Sequence, residues 1–217
     1  MFLGHIAAGL AAKRIAPRTS TAVLLGAPLL VDLLWPFFLL LGVEHVEIEP
    51  DSTAYTPLTF TEYPITHSLL TGLGWAALAG AIYFAFSKNR RGALVVAALV
   101  VSHWIFDWIV HQPDLPLYPG SAEYGLGLWN SVAGTVLLEA ALFTAGVALY
   151  LRATRATDRQ GSLSFWLLVG ILVLSAIGNV LGPPPPSQTG LAIFSLILWL
   201  IPLWGIWIER HREPVPA

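Results

Sequence analysis

The 217-residue chain is 56% hydrophobic and only 11% charged, with a mean hydropathy of +0.70, so it has too few polar side chains to cover a water-soluble globule of its size. A formal net charge of −2 carries no signal for nucleic acid, and the absence of cysteine excludes disulfides, thiolate catalysis and thiolate zinc sites. Any metal must be held by histidine and carboxylate.

The opening run, MFLGHIAAGLAAKRIAP, has about twelve apolar positions and would reach only about 18 Å as a helix, too short to cross a bilayer. It reads as a re-entrant or interfacial helix carrying His5. Its basic residues lie on the wrong side for a cleavable secretory signal, so it is expected to stay in the mature protein. Long apolar runs follow at about residues 19–43, 66–86, 92–111, 129–151, 163–182 and 190–208, each near the roughly 20 residues that a spanning helix needs. The expected fold is all-α: a polytopic membrane helix bundle of about six transmembrane helices plus the short N-terminal helix. It forms a single integral membrane domain over 1–217, with a metal-site half at about 1–112 and additional helices at about 129–208. Within the first span, Pro28 and Pro36 flank Asp32 and would kink or open the helix near that carboxylate. The Pro183 to Pro186 run is a turn between the fifth and sixth spans.

All eleven basic residues fall in alternate loops. Lys13, Arg14 and Arg18 precede the first span, Lys88, Arg90 and Arg91 separate the second and third, Arg152, Arg155 and Arg159 follow the fourth, and Arg210 and Arg212 follow the sixth. The opposite loops carry Glu44, Glu47, Glu49, Asp51, Glu62, Asp114 and Glu123 and no Lys or Arg. The positive-inside rule then makes both termini cytoplasmic and the acidic loops external.

Ionisable residues inside apolar spans cost several kcal/mol unless paired, hydrated or bound, and they mark function by default. His103, Asp107 and His111 recur at four-residue spacing in VVSHWIFDWIVHQ, on one helical face, and Asp32 and His67 lie in neighbouring apolar segments. The topology sets all five in the outer half of the membrane and brings His5 to about mid-depth beneath Asp32. A lone intramembrane histidine is more often a hydrogen bond between helices, and a lone aspartate a proton relay. For the set, a metal is the better reading, because the spans contain no Lys or Arg to neutralise the carboxylates. Imidazole and carboxylate together suit zinc, with manganese or iron also compatible. Asp32, His67, His103 and Asp107 complete a four-ligand sphere for one ion, while His5 and His111 could serve a second ion, orient ligands or contact substrate.

Ser131, Thr135 and Glu139 form a further stripe on the fourth span, where Glu139 could be a general base, a ligand or a protonated structural acid. Asn130 and Asn179 are minor hydrogen-bonding candidates, and His45 and His211 fall in loops without an assigned role. Trp104, Trp108, Trp129, Trp204 and Trp207 crowd the expected interfaces, where anchoring is the default explanation.

GHIAAGL, PLLVD, ITHS and SHWIFD, in that order, resemble the signature of the bacterial inner-membrane metal-dependent hydrolase family of the YdjM type. The resemblance covers about the first half of the chain and implies a multi-pass protein of the inner (cytoplasmic) membrane with hydrolase activity. The segment before Thr-His-Ser departs from the family's His-Arg-Gly, reading Glu62, Tyr63, Pro64. More distantly, the order His5, Asp32, His67, His103, Asp107 is similar to the first part of the ligand order in zinc-dependent phospholipases C and S1/P1-type nucleases. That similarity implies that Asp32, His67, His103 and Asp107 hold one ion, that Asp107 bridges, and that His5 serves another. Only His111 and Glu139 follow, in place of the further His and His-x-x-x-acid motif of those enzymes.

The resulting expectation is a membrane-embedded, divalent-metal-dependent hydrolase holding one or two ions and acting on a phosphoester in a lipid or lipid-linked substrate. Asp107, Glu139 and His111 are the candidates for the catalytic step. The alternatives are a zinc amidase acting on lipid amides with Ser68 as an oxyanion donor, a metal or proton transporter, and a scaffold with a structural metal. Membrane lipids are the expected partners.

Overall fold

Each of the six long apolar segments begins after a residue whose side chain accepts one of its first amides: Ser20, Ser68, Asn89, Ser131, Asp158 and Ser187. Such caps satisfy donors that have no partner inside the helix, each contributing about 1 kcal/mol. The computed structural model describes residues 1–215. Among these, six helical segments are long and apolar enough to cross a membrane, accompanied by a shorter apolar helix at the start, α1 (Phe2–Ala12).

The first span, Thr21–Leu40, is broken. Its halves α2 (Thr21–Gly26) and α3 (Leu30–Leu40) are joined by a 3₁₀ turn over Ala27–Leu29, where Pro28 sits. Pro36 lies inside α3 and cannot return a hydrogen bond to the Asp32 carbonyl. A single turn, α4 (Pro64–His67), leads into α5 (Leu69–Ser87), which packs along α6 (Arg90–Val110). Then come α7 (Val132–Ala153) and α8 (Arg159–Leu181), and a last span divided into α9 (Gln188–Ser195) and α10 (Leu200–Arg210) by a second 3₁₀ turn. The observed spans agree with the sequence-based segments to within a few residues at each end.

Three small antiparallel ladders were not anticipated. β1 (His45–Ile48) pairs with β2 (Leu58–Glu62), and β3 (Leu115–Pro116) with β4 (Glu123–Tyr124), both between spans at the acidic end. β5 (Thr154–Ala156) pairs with β6 (Arg212–Pro214) at the basic end. There, burial holds the Arg212 guanidinium below its ordinary range, and it donates to the Thr154 hydroxyl and carbonyl. His211 is close to Asp158 at 2.7 Å, a bond that lowers the Asp158 carboxyl below its usual value.

α1 is the centre of the bundle. Leu3, Ile6 and Leu10 pack with Leu25, Leu29 and Leu33 of the first span, Phe143 and Tyr150 of α7, Phe165 and Leu168 of α8, and Ile201 and Ile208 of α10. Lys13, just past its end, donates to the Thr19 carbonyl near the basic loops, whereas Met1 is buried beside Asp107. The described carboxy-terminal strand is at the basic end, but an eleven-residue helix rises only about 16 Å from Lys13 and leaves Met1 inside the bundle.

α1 lies this deep because small residues meet it. A β-carbon on Gly146 would lie 2.7 Å from the Ala7 backbone, and one on Gly9 would lie 2.3 Å from the Leu24 carbonyl oxygen. Gly146→Val is therefore expected to lower stability by about 1–3 kcal/mol through overpacking, read as a fall in the melting temperature of the detergent-solubilised protein. An unchanged melting temperature would refute this tight seam.

Candidate metal centre

α6 presents His103 and Asp107 one turn apart on its buried face. His111 is not on the helix: it is the residue after Val110, with extended backbone, although its amide still bonds to the Asp107 carbonyl at 2.8 Å. Asp32 lies in the first turn of α3, directly after the Pro28 break, and His67 closes α4. α1 brings His5 into the same space, fully buried.

The side chains converge as two overlapping triads, His5–His103–Asp107 and Asp32–His67–His103, in each of which the potential ligand atoms lie within 4.8 Å of one another. His103 Nε2 lies 2.8 Å from Asp107 Oδ2 and 3.6 Å from Asp32 Oδ1. His67 Nε2 lies 3.5 Å from Asp32 Oδ1, and His5 Nε2 lies 3.0 Å from Asp107 Oδ1. The His5 and His103 rings stack with centroids 3.8 Å apart, turning both imidazoles edge-on to Asp107. Asp107 touches both His5 and His103 through different oxygens, the arrangement a bridging carboxylate needs.

Outer partners fix which nitrogen carries each lone pair. His103 Nδ1–H donates to the Pro28 carbonyl at 2.8 Å, which leaves Nε2 as the free ligand atom. Thr66 Oγ1–H donates to Glu44 Oε2 at 2.7 Å, so the Thr66 oxygen accepts from His67 Nδ1 at 2.6 Å, and again Nε2 is free. Glu44 is fully buried and also accepts the Ile65 and Thr66 amides, both at 2.8 Å. His111 Nδ1–H donates to Asp114 Oδ1 at 2.9 Å, and the same oxygen accepts the Tyr63 hydroxyl. Burial, then Asp114, raises the Tyr63 phenol well above its ordinary value and keeps it a donor.

These residues fit a divalent ion. His103 Nε2 is buried between two carboxylates yet has no hydrogen-bond partner, whereas His5 Nε2 bonds to Asp107 Oδ1 and leaves its Nδ1 unpartnered. The Met1 ammonium contacts Asp107 Oδ1, but the lone pair of His103 Nε2 still faces carboxylate oxygens that repel it unless a cation lies between them, and nitrogen with carboxylate oxygen is the donor set that zinc and its neighbours accept. The sequence-based set is brought together, with two refinements. His5 forms a triad with His103 and Asp107, and His111, 4.0 Å from Asp107 Oδ2, stands outside both triads.

Asp32 keeps a quarter of its side chain exposed and opens onto a cleft of about 160 Å³. His67, Asp107, His111, Glu139 and Asn179 supply its polar lining, and Trp35, Phe60 and Trp129 wall it. The β1–β2 hairpin covers the cleft, tied down by Tyr55 N–H to the Trp129 carbonyl and by Gln112 Nε2 to the Ser52 carbonyl. Glu139 accepts the Phe2 and Leu3 amides on its two oxygens, at 3.1 and 2.6 Å, and so anchors the start of α1. Its stripe partners are structural: Ser131 caps α7 and Thr135 donates to the Leu128 carbonyl. Ser68 caps α5, is fully buried and does not line the cleft, which argues against its use as an oxyanion donor. Asn130 is exposed, and His45 pairs loosely with Glu62 on the surface.

Sequence reasoning passed over Glu44, Thr66, Asp114 and the Pro28 carbonyl. Pro28 was a sequence signal, noted as a kink that frees backbone groups; the loop carboxylates were read only as orientation markers. Compared with known proteins, the chain matches no family model, and no curated protein or solved structure is similar to it.

Proposed function

We propose that the protein is a membrane-embedded, divalent-metal-dependent hydrolase that cleaves a phosphoester in a lipid or lipid-linked substrate, with zinc as the first metal to test. The observation that carries this reading is the buried Nε2 of His103, shared by two carboxylate-histidine triads beside a cleft onto which Asp32 opens. The order of the His and Asp segments, which resembles that of the YdjM-type family, supports it. A divalent ion there would supply Lewis acidity and make water a nucleophile near neutral pH. His5, Asp32, His67, His103 and Asp107 would hold one or two such ions.

The protein's own groups divide the remaining work. His111 lines the cleft and its Nδ1–H is held by Asp114, so it can take a proton at Nε2 with the resulting charge stabilised by that carboxylate. Both Glu139 oxygens are engaged by α1 amides, which makes His111 the better placed proton acceptor of the two. Trp35, Phe60 and Trp129 exclude water from the walls and suit the apolar part of a lipid-linked substrate.

Transport is disfavoured by the apolar side chains of Ile6, Leu10, Leu24, Leu25 and Leu29, which are buried between the site and the basic end. The test is a phospholipid and lipid-phosphate hydrolysis screen with the metal-loaded protein. His111→Gln is expected to lower turnover by about 10²–10⁴-fold while leaving bound metal unchanged. Turnover unaffected by both His111→Gln and Asp107→Asn would overturn the hydrolase reading.

A further inference from the structure

At the opposite end of the bundle lies a second concavity, of about 430 Å³, lined by Arg18, Tyr83, Ser87, Lys88, Asn89 and Arg90. Its walls are the turn between α1 and α2 and the turn between α5 and α6. They are pinned together: the Tyr83 hydroxyl donates to Thr19 Oγ1 at 3.1 Å, and Lys13 Nζ holds the Thr19 carbonyl at 2.7 Å. The second wall reverses through Lys88, which adopts φ 54°. The concavity is thus framed by fixed backbone.

Every polar group around it is a donor or has donor capacity left. Asn89 Oδ1 accepts the Gly92 amide and leaves Nδ2 free, and Ser87 Oγ accepts the Asn89 amide and keeps its own proton. Among the described residues, Arg18, Lys88 and Arg90 make no ion pair and no side-chain hydrogen bond, and no carboxylate lines the cleft. Two other cations at this end are committed, Arg155 to Glu213 and Arg212 to Thr154, whereas Arg152, Arg159 and Arg210 are exposed and do not line the concavity. Three unpaired cations in one concavity focus a positive potential that an anion would satisfy. The adjoining ends of α5 and α6 leave Phe86 and Leu94 89% and 73% exposed, apolar surface suited to acyl chains.

We propose that this cleft binds the phosphate of an acidic phospholipid, with the headgroup between Arg18, Lys88 and Arg90 and the acyl chains along the outer faces of α5 and α6. Phosphate is the recognised group, and the membrane is its source, because the cleft opens where charged loops meet lipid-facing helix. The site is separate from the histidine-carboxylate centre and does not depend on its chemistry.

The experiment titrates the full-length protein, in phosphatidylcholine nanodiscs, with phosphatidylglycerol, and follows retained lipid by native mass spectrometry. The variant Arg18→Gln/Lys88→Gln/Arg90→Gln is compared with Arg152→Gln/Arg159→Gln/Arg210→Gln, which removes the same charge from exposed positions at the same end. The cleft variant is expected to lose about a hundredfold in phosphatidylglycerol affinity, with melting temperature unchanged, and the control variant to stay close to wild type. Equal losses in the two variants would mean diffuse charge and overturn the site. Displacement of the lipid by an equal concentration of inorganic phosphate would overturn the membrane as its source.

Discussion

Asp107→Ala is expected to lose more than about a hundredfold in divalent-metal affinity, beyond the 10–100-fold range for removing a group that only orients a ligand. The carboxylate contacts His5 through one oxygen and His103 through the other, so alanine removes a ligand from one triad and unfastens the histidine that the other shares. Elemental analysis of the purified variant checks this directly. Thermal unfolding gives an independent reading: an ion that binds only the folded protein stabilises it by about 2.7 kcal/mol at a hundredfold excess over its dissociation constant. Chelator should therefore lower the wild-type melting temperature and leave that of Asp107→Ala unchanged. A variant that retains metal at wild-type stoichiometry would remove the basis for the proposed chemistry.

Glu44 should produce two different phenotypes according to what replaces it. Alanine leaves the Ile65 and Thr66 amides and the Thr66 hydroxyl without their buried acceptor, a cost of about 1–3 kcal/mol for each group. Glu44→Ala should then be poorly folded. Glutamine can still accept both amides through its carbonyl oxygen, but it turns an NH₂ toward Thr66 where a carboxylate oxygen stood. The Thr66 hydroxyl must then accept from Gln and donate to His67 Nδ1, which moves the His67 proton to Nε2 and removes the lone pair that faces Asp32. Glu44→Gln is therefore expected to fold with a near-wild-type melting temperature and to bind metal about 10–100-fold more weakly. Unaltered metal affinity in a folded Glu44→Gln protein would show that this relay does not set the His67 tautomer.

The sequence made some of this legible and hid the rest for physical reasons. Spans were visible because apolar length is a local property, and the break near Asp32 was visible because proline acts on its own turn. His103 and Asp107 announced themselves by helical spacing, and Asp32 and His67 by the cost of polarity among apolar neighbours. Depth counting from Lys13 placed His5 near Asp32, and the folded chain brings it against His103 and Asp107. His111 was harder: spacing alone extended the helix one residue too far, and only the folded backbone shows it leaving α6. Glu44 and Asp114 belong to a set of loop acids that look alike as text; what distinguishes them is the burial of Glu44 against Ile65 and Thr66 and the bonds that Asp114 accepts from Tyr63 and His111. Glu139 was conspicuous, yet its engagement with the first amides of α1 joins residues 136 and 137 positions apart, which no local pattern records.

The buried position of α1 carries a consequence for how the protein is made. A helix of this length has no stable place as an independent span, and its main packing partner is α7, whose residues leave the ribosome more than a hundred positions later. Without α7 the packing that encloses His5 beside His103 and Asp107 is incomplete, so a docked α1 is expected only late in synthesis. A nascent chain stopped after α6 would hold Asp32, His67, His103 and Asp107 in the membrane with α1 still undocked. A metal held by that set, as proposed above, would then load only once the bundle is complete.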